Sequence, residues 1–168
     1  MKQLSVEEVV ATLERHRAAG CHVDSRLLAQ VREPGEMYLL SLPDAPAFLT
    51  LIWQSINDAR PIVPVDRPRT LRDCAARLAA FEWRFEKLVD EGYHWFAKCV
   101  AIDAAFDHSK FAWMALTLSN VSEQQETPGG TYYIYDGVHK SIVLAKKLLR
   151  REVEYTPLEA LLLTPRRS

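Results

Sequence analysis

The sequence predicts an α/β domain, on two observations. Runs with the composition of strands, at 36–42, 62–65 and 131–135, are interleaved with stretches of helical apolar spacing at 6–18, 47–57, 71–91 and 141–149. That interleaving is the pattern of a sheet covered by helices. The chain has 168 residues, 48% of them hydrophobic and 26% charged. This is enough for one core without disulfide or metal support, and it excludes a disordered or collagen-like chain. A single domain over 1–168 is expected. No apolar run approaches the roughly 20 residues that cross a bilayer, and MKQLSVEEVV brings one Lys and two Glu before any long apolar stretch, unlike a secretion signal. A cytoplasmic protein without membrane contact is expected.

The elements follow in order. Ser5-Val6-Glu7-Glu8 has the form of a capping box, and Val6, Val9, Val10 and Leu13 follow at helical spacing up to a stop at Gly20. Residues 36–42, EMYLLSL, lie between Pro34-Gly35 and Pro43 and read as a buried strand, with Pro43, Asp44 and Pro46 as the turn after it. Phe48, Leu51, Ile52 and Ile56 define a helix over 47–57, which must end before Pro61. Ile62-Val63-Pro64-Val65 reads as an edge strand. Thr70 caps the longest helix, 71–91, whose stripe is Leu71, Cys74, Leu78, Phe81, Phe85 and Leu88 and whose terminator is Gly92. The aromatic stretch 93–121 reads as a helix followed by a helix or strand, and 123–130 as a polar loop. Thr131 to Tyr135, β-branched and aromatic, is a strand that Asp136-Gly137 turns into a helix over 141–149, with Lys146, Lys147 and Arg150 on its outer side. Residues 152–163 hold the closing strand, and Thr164-Pro165-Arg166-Arg167 is a tail.

Chemistry concentrates at the strand-to-helix turn. A helix start presents unpaired backbone amides and the positive end of its dipole, which together favour an anion. His139, Lys140 and Ser141 add an imidazole, an ammonium and a hydroxyl there, while Gly137 permits a tight turn or close approach to a ligand. Phosphate or carboxylate binding and a plain turn both fit these residues. Elsewhere no G-x-S-x-G, Walker-type loop or C-x-x-C occurs, and His22, His94 and His108 have no metal-ligand spacing. Cys21, Cys74 and Cys99 read as structural thiols, and Trp95 and Trp113 as core. Seven basic against three acidic residues from Lys140 onward suit an anion site, but they are too few to predict nucleic acid as a partner.

The run Tyr133-Ile134-Tyr135-Asp136-Gly137-Val138-His139-Lys140-Ser141-Ile142-Val143-Leu144-Ala145 resembles the signature of the ParB/sulfiredoxin-like superfamily. There a strand ends in a Gly-containing turn, His-Arg or Arg-Arg follows, and a helix continues with a small residue. The Asp-Gly form is most similar to the free serine kinases of that fold. Upstream, Leu51, Ser55-Ile56, Pro61-Ile62 and Val65 resemble the family's preceding helix and strand. The sequence departs from the pattern in two places. Lys140 stands where the family usually has Arg, which replaces a bidentate grip by a point charge, and Ala59-Arg60 replaces a Gly turn.

The resemblance implies a small mixed sheet with a core at about 36–65 and 131–163, a helical N-terminal arm, and a helical insertion at about 70–125. It implies ATP or another nucleotide as ligand, held by Asp136, Gly137, His139, Lys140, Ser141 and the helix amides, with Mg2+ on Asp136. In a phosphotransferase or nucleotide hydrolase of this kind His139 steadies the transferring group and Asp44 accepts the proton. The other class of function is a non-catalytic module that senses a nucleotide or phosphorylated ligand and contacts a protein through the insertion. A nuclease or DNA-binding accessory role rests on the family's name and the basic tail alone. Sulfiredoxin chemistry is excluded, because it needs a Cys in the turn and none stands there.

Overall fold

Ser5 closes the first turn of the chain's first helix as its spacing requires. Its hydroxyl accepts from the Glu8 amide at 3.2 Å, while the Glu8 carboxylate accepts from the Ser5 amide at 2.8 Å. This helix, α1 (Val6–Ala18), carries Glu7 and Glu8 in its first turn and Arg15, His16 and Arg17 in its last, each sign complementing the helix dipole. It follows a short strand, β1 (Lys2–Leu4), and precedes α2 (Ser25–Gln30), which Asp24 caps; neither was expected. The computed structural model describes residues 1–33, 35–53, 59, 69–111, 113–120, 125–126 and 132–165.

The remaining elements are β2 (Gly35–Leu42), α3 (Ala45–Leu49), β3 (Ile52–Trp53), α4 (Leu71–Ala80), a 3-10 turn (Glu82–Arg84), α5 (Phe85–Asp90), α6 (Trp95–Ala104), a second 3-10 turn (His108–Lys110), β4 (Met114–Thr117), a small hairpin of β5 (Ser119–Asn120) with β6 (Gln125–Glu126), β7 (Tyr133–Asp136), α7 (Val138–Leu149) and β8 (Leu158–Pro165). Six strands form one mixed sheet in the order β1-β2-β8-β4-β7-β3. The fold is therefore α/β. The longest ladder joins β2 to β8 antiparallel, from Gly35 opposite Pro165 to Leu42 opposite Leu158. β8 runs parallel to β4, β4 antiparallel to β7, and β7 parallel to β3.

Helices cover both faces of the sheet, and the pleat shows it. Consecutive strand residues enter different cores: Leu116, Ile134 and Leu162 join one, Ala115, Tyr135 and Leu161 the other. The first core is closed by α4, α5, α6 and α7, the second by Val9 and Leu13 of α1 and Leu27 of α2. A strand buried on both sides carries no polar alternation, which is why Ala160 to Leu163 is uniformly apolar. Among the described residues no helix is long and apolar enough to cross a membrane.

Several expectations need correction. The helix over 47–57 stops at Leu49, because the sheet edge captures the next residues: the Ile52 amide donates to Tyr132 O at 2.8 Å and the Trp53 amide to Arg69 O at 2.7 Å. β-branched Ile52 and aromatic Trp53 suit that edge, and Trp53 is fully buried there. The strand placed at 62–65 lies outside the described residues. The helix over 71–91 is capped by Thr70 as expected but breaks at Phe81 (φ −111°), and the 3-10 turn after it presents Glu82 to α7. The segment 70–125, read as a helical insertion, holds α4, α5 and α6 but also supplies β4, an interior strand between β8 and β7. α7 starts at Val138 rather than Ser141, and β8 includes Thr164 and Pro165 rather than leaving them in a tail.

Candidate functional site

β7 runs straight into α7 through one residue. Gly137 takes φ +88°, ψ +15°, a left-handed conformation that L side chains rarely adopt. A Cβ there would also stand 3.2 Å from the Met114 Cβ of β4. Gly137 thus meets two separate demands: it reverses the chain direction and lets the turn lie against the neighbouring strand. The first amides of α7 have no carbonyl of their own helix to bond, and they open at the carboxyl end of β7, where Asp136 sits. Ser141 is not among the groups that face a ligand. It is fully buried, and its hydroxyl donates back to Gly137 O at 2.7 Å. The sequence placed this hydroxyl in the phosphate site; it instead fastens the first turn of the helix.

His139 also differs from expectation. Its ring lies 5.1 Å from the buried Trp95 ring of α6 at 30°. Burial first, then the nearby charges of Lys98 and His22, push its pKa down to about 4. The imidazole is therefore neutral at physiological pH, and its Nε2 is buried without a hydrogen-bond partner. It forms an apolar wall with Trp95 and is not a switchable cation. Lys140 is half-buried, and burial lowers its pKa, with Cys21 and Asp136 pulling it back up. Asp136 moves the opposite way. Burial and the nearby Asp24 raise its carboxyl above the usual range, against the Gly137 amide, His22 and Arg26.

These neighbours bring in a segment that sequence reasoning missed. The segment from Cys21 to Arg26 comes near the β7–α7 turn: Cys21 acts on Lys140, His22 on Asp136 and His139, and Asp24 and Arg26 on Asp136. Asp24 accepts from the Arg26 amide at 2.8 Å and pairs with its guanidinium at 3.1 Å. Asp24-Ser25-Arg26 is a helix-cap pattern, and nothing in it points to residue 136. The site is thus assembled from three places: the N-terminal arm, the start of α6 with Trp95 and Lys98, and the turn from Asp136 to Lys140.

Asp44 is not brought there. Its side chain accepts from the Ala47 amide at 2.8 Å and caps α3. β2, which delivers it, lies three strands from β7 in the sheet, about 14 Å at the usual spacing. The resemblance assigned Asp44 the acceptor proton, but its observed task is to hold a helix end.

Among the described residues no group of three or more His, Cys, Asp or Glu side chains could hold a metal ion. Asp136 offers one carboxylate, and that of Asp24 is engaged by Arg26 and the cap. Magnesium at Asp136 therefore fits only in the mode that uses one carboxylate and completes its shell with phosphate oxygens and water.

A second polar cluster lies at the other end of α7. The sequence assigned Lys146 to the solvent side, yet it is 2% exposed and donates to Glu82 and, at 2.6 Å, to Asp103. Lys147 joins Asp103 at 2.8 Å and Arg150 joins Glu82 at 2.6 Å. Burial alone would raise both carboxyls, but these cations outweigh it and hold Glu82 and Asp103 below their ordinary range. The three cysteines are free and buried. Burial pushes Cys74 up to about 12 and raises Cys99 as well, so neither is a thiolate nucleophile. No protein-family model, curated protein or solved structure matches this chain.

Proposed function

We propose that this chain is a binding module for a phosphorylated small molecule, a nucleotide in the first instance, which seats its phosphates at the start of α7. The observation that carries the reading is the Gly137 turn. It opens the amides of a twelve-residue helix beside Lys140 at a strand end, with Arg26 near enough to act on Asp136 and Lys98 near enough to act on His139. Backbone amides, a helix dipole and ammonium groups together favour a phosphate over a neutral ligand. The strand–Gly turn–helix order supports the resemblance to the ParB/sulfiredoxin-like superfamily on the same residues. The neutral His139–Trp95 wall suits the face of a base or sugar better than it suits proton transfer.

Binding is preferred to phosphotransfer because the expected proton acceptor, Asp44, caps a helix three strands away. One observation favours a second, catalytic reading. Burial holds the Asp136 carboxyl above the usual carboxylate range at the site itself, the direction expected of a general base.

Thermal unfolding against ATP, ADP, CTP, GTP and pyrophosphate, each with and without magnesium, tests the proposal. A ligand at about 100 times its Kd adds roughly 2.7 kcal/mol, a rise of several degrees for a domain of this size. The expected result is a rise with at least one nucleotide that disappears in Lys140→Ala. No rise with any of them overturns the reading. Recovery of the nucleotide intact after prolonged incubation favours the module, and release of ADP or phosphate, lost in Asp136→Asn, favours the catalytic alternative.

A further inference from the structure

One concavity of the molecule lies away from the β7–α7 turn. It is an open groove of about 890 Å³ between the α4–α5 segment and α6. Its floor is apolar and buried: Leu78, Phe85, Cys99 and Val143 are each 5% exposed or less. Its lips are apolar too, but they face solvent. Trp83 is 78% exposed and Val100 49%, two of the few large hydrophobic side chains on the surface of the described residues.

α6 explains why the groove is incomplete. Its sequence, WFAKCVAIDA, has two charged residues in ten, and one of them, Asp103, is taken up by Lys146 and Lys147. A helix that is apolar on nearly all sides belongs in an interior. Trp95, Phe96 and Cys99 are indeed buried, but Ala97, Val100, Ala101 and Ala104 are exposed. These four recur at helical spacing, and three of them are small enough for another helix backbone to approach closely.

The charge around this surface selects the occupant. Four carboxylates line the groove against one ammonium, that of Lys146. Glu82 and Asp103 are neutralised by the cations of α7. Glu86 and Asp90, one turn apart on α5, are exposed and have no ion pair among the described residues. We infer that the α5–α6 groove docks an amphipathic helix of a partner protein. Its apolar stripe packs on Trp83, Val100 and the alanines of α6, and its Lys or Arg residues meet Glu86 and Asp90. This is the helix-in-groove mode of recognition, and Trp83 has the residue type and the position of an interface anchor. The docking is independent of the phosphate reading, since no group of the β7–α7 turn lines the groove.

The test uses the full chain and two model peptides of about 18 residues, five helical turns, with leucine at i, i+3, i+4 and i+7. The remaining positions are lysine in one peptide and glutamate in the other. The Leu/Lys peptide is expected to bind and to shift the resonances of the Trp83 indole and of the Ala97, Val100 and Ala101 amides, while the Leu/Glu peptide leaves them in place. Glu86→Lys combined with Asp90→Lys should weaken binding by about tenfold or more, whereas Glu14→Lys on the exposed side of α1 should not. Absence of Leu/Lys binding overturns the inference, as do equal affinity in the charge-reversed variant and shifts located elsewhere. Concentration-dependent dimerisation that broadens the same α6 resonances overturns it as well, by showing that a second copy fills the groove.

Discussion

The two ends of α7 treat charge in opposite ways. At its C-terminal end every cation has an acidic partner: Lys146 is shared by Glu82 and Asp103, Lys147 by Asp103 and Glu152, and Arg150 by Glu82 and Glu152. At its N-terminal end burial works against the charged forms. Asp136 is held above the usual carboxylate range, Lys140 below the usual ammonium range, and His139 is neutral with an orphaned Nε2. A buried polar atom without a hydrogen-bond partner costs stability, and at the N-terminal end the His139 Nε2 is one. The contrast separates a lysine held by two carboxylates from a lysine whose charge burial disfavours, although both belong to one twelve-residue helix.

The sharpest way to break the comparison is to remove the paired lysine. Lys146→Ala leaves a cavity and takes one cation from Glu82 and Asp103, which keep Arg150 and Lys147, and it should cost about 2–4 kcal/mol, read as the midpoint shift in chemical unfolding. Lys146→Met keeps the stem packed and should recover part of the loss. A cost below about 1 kcal/mol for the alanine variant would show that the network contributes little. At the other end, Gly137→Ala should cost about 2–3 kcal/mol, because a left-handed alanine costs roughly 1–2 kcal/mol and the new Cβ meets Met114. Gly137→Asn should cost less than a β-branched residue at the same position, since asparagine visits this conformation more readily. The same unfolding measurement, with and without the nucleotide that stabilises the wild type, shows whether the turn is needed for binding as well as for folding.

What the sequence made legible was local. Ser5, Thr70, Gly92 and Gly137 act within their own turns, and each does what its residue type predicts. The strands of β2 and β7 were readable from composition for the same reason. What it concealed depended on residues distant along the chain. Lys146 looks like a solvent-facing lysine because its partners stand 43 and 64 positions away. Leu51 and Ile52 fit a helical stripe until the edge of β7 offers Ile52 a ladder. Of the candidate site, the Asp136–Lys140 turn was legible, while the arm carrying His22, Asp24 and Arg26 was not, because only folding brings that segment near residue 136. Asp44 is a local case as well: an aspartate before Ala-Pro-Ala is a helix cap by its own chemistry, and it caps α3.

The subtlest difference between the two ends is one of pH, and it has a definite sign. His139, lowered to about 4, contributes stability that is present above its unfolded value near 6.5 and lost as pH falls through 4. Glu82 and Asp103, also lowered, add a loss below their ordinary values of 4.5 and 3.8. Asp136, raised, acts the other way: its contribution is present below about 3.8 and lost as pH rises through its folded value. Unfolding measured from pH 8 to 3.5 should therefore show a decline that starts between 6.5 and 4, before the carboxylate pairs are protonated. His139→Phe, which preserves the ring against Trp95, should delay that decline. Asp136→Asn should raise stability at pH 7, because it removes a buried carboxylate while its amide oxygen still accepts from Gly137. It should also make the acid decline steeper, since the opposing contribution is gone. If Asp136→Asn leaves the stability at pH 7 unchanged or lowers it, the carboxylate at the head of α7 is compensated as fully as Lys146 is, and the two ends of the helix treat charge alike.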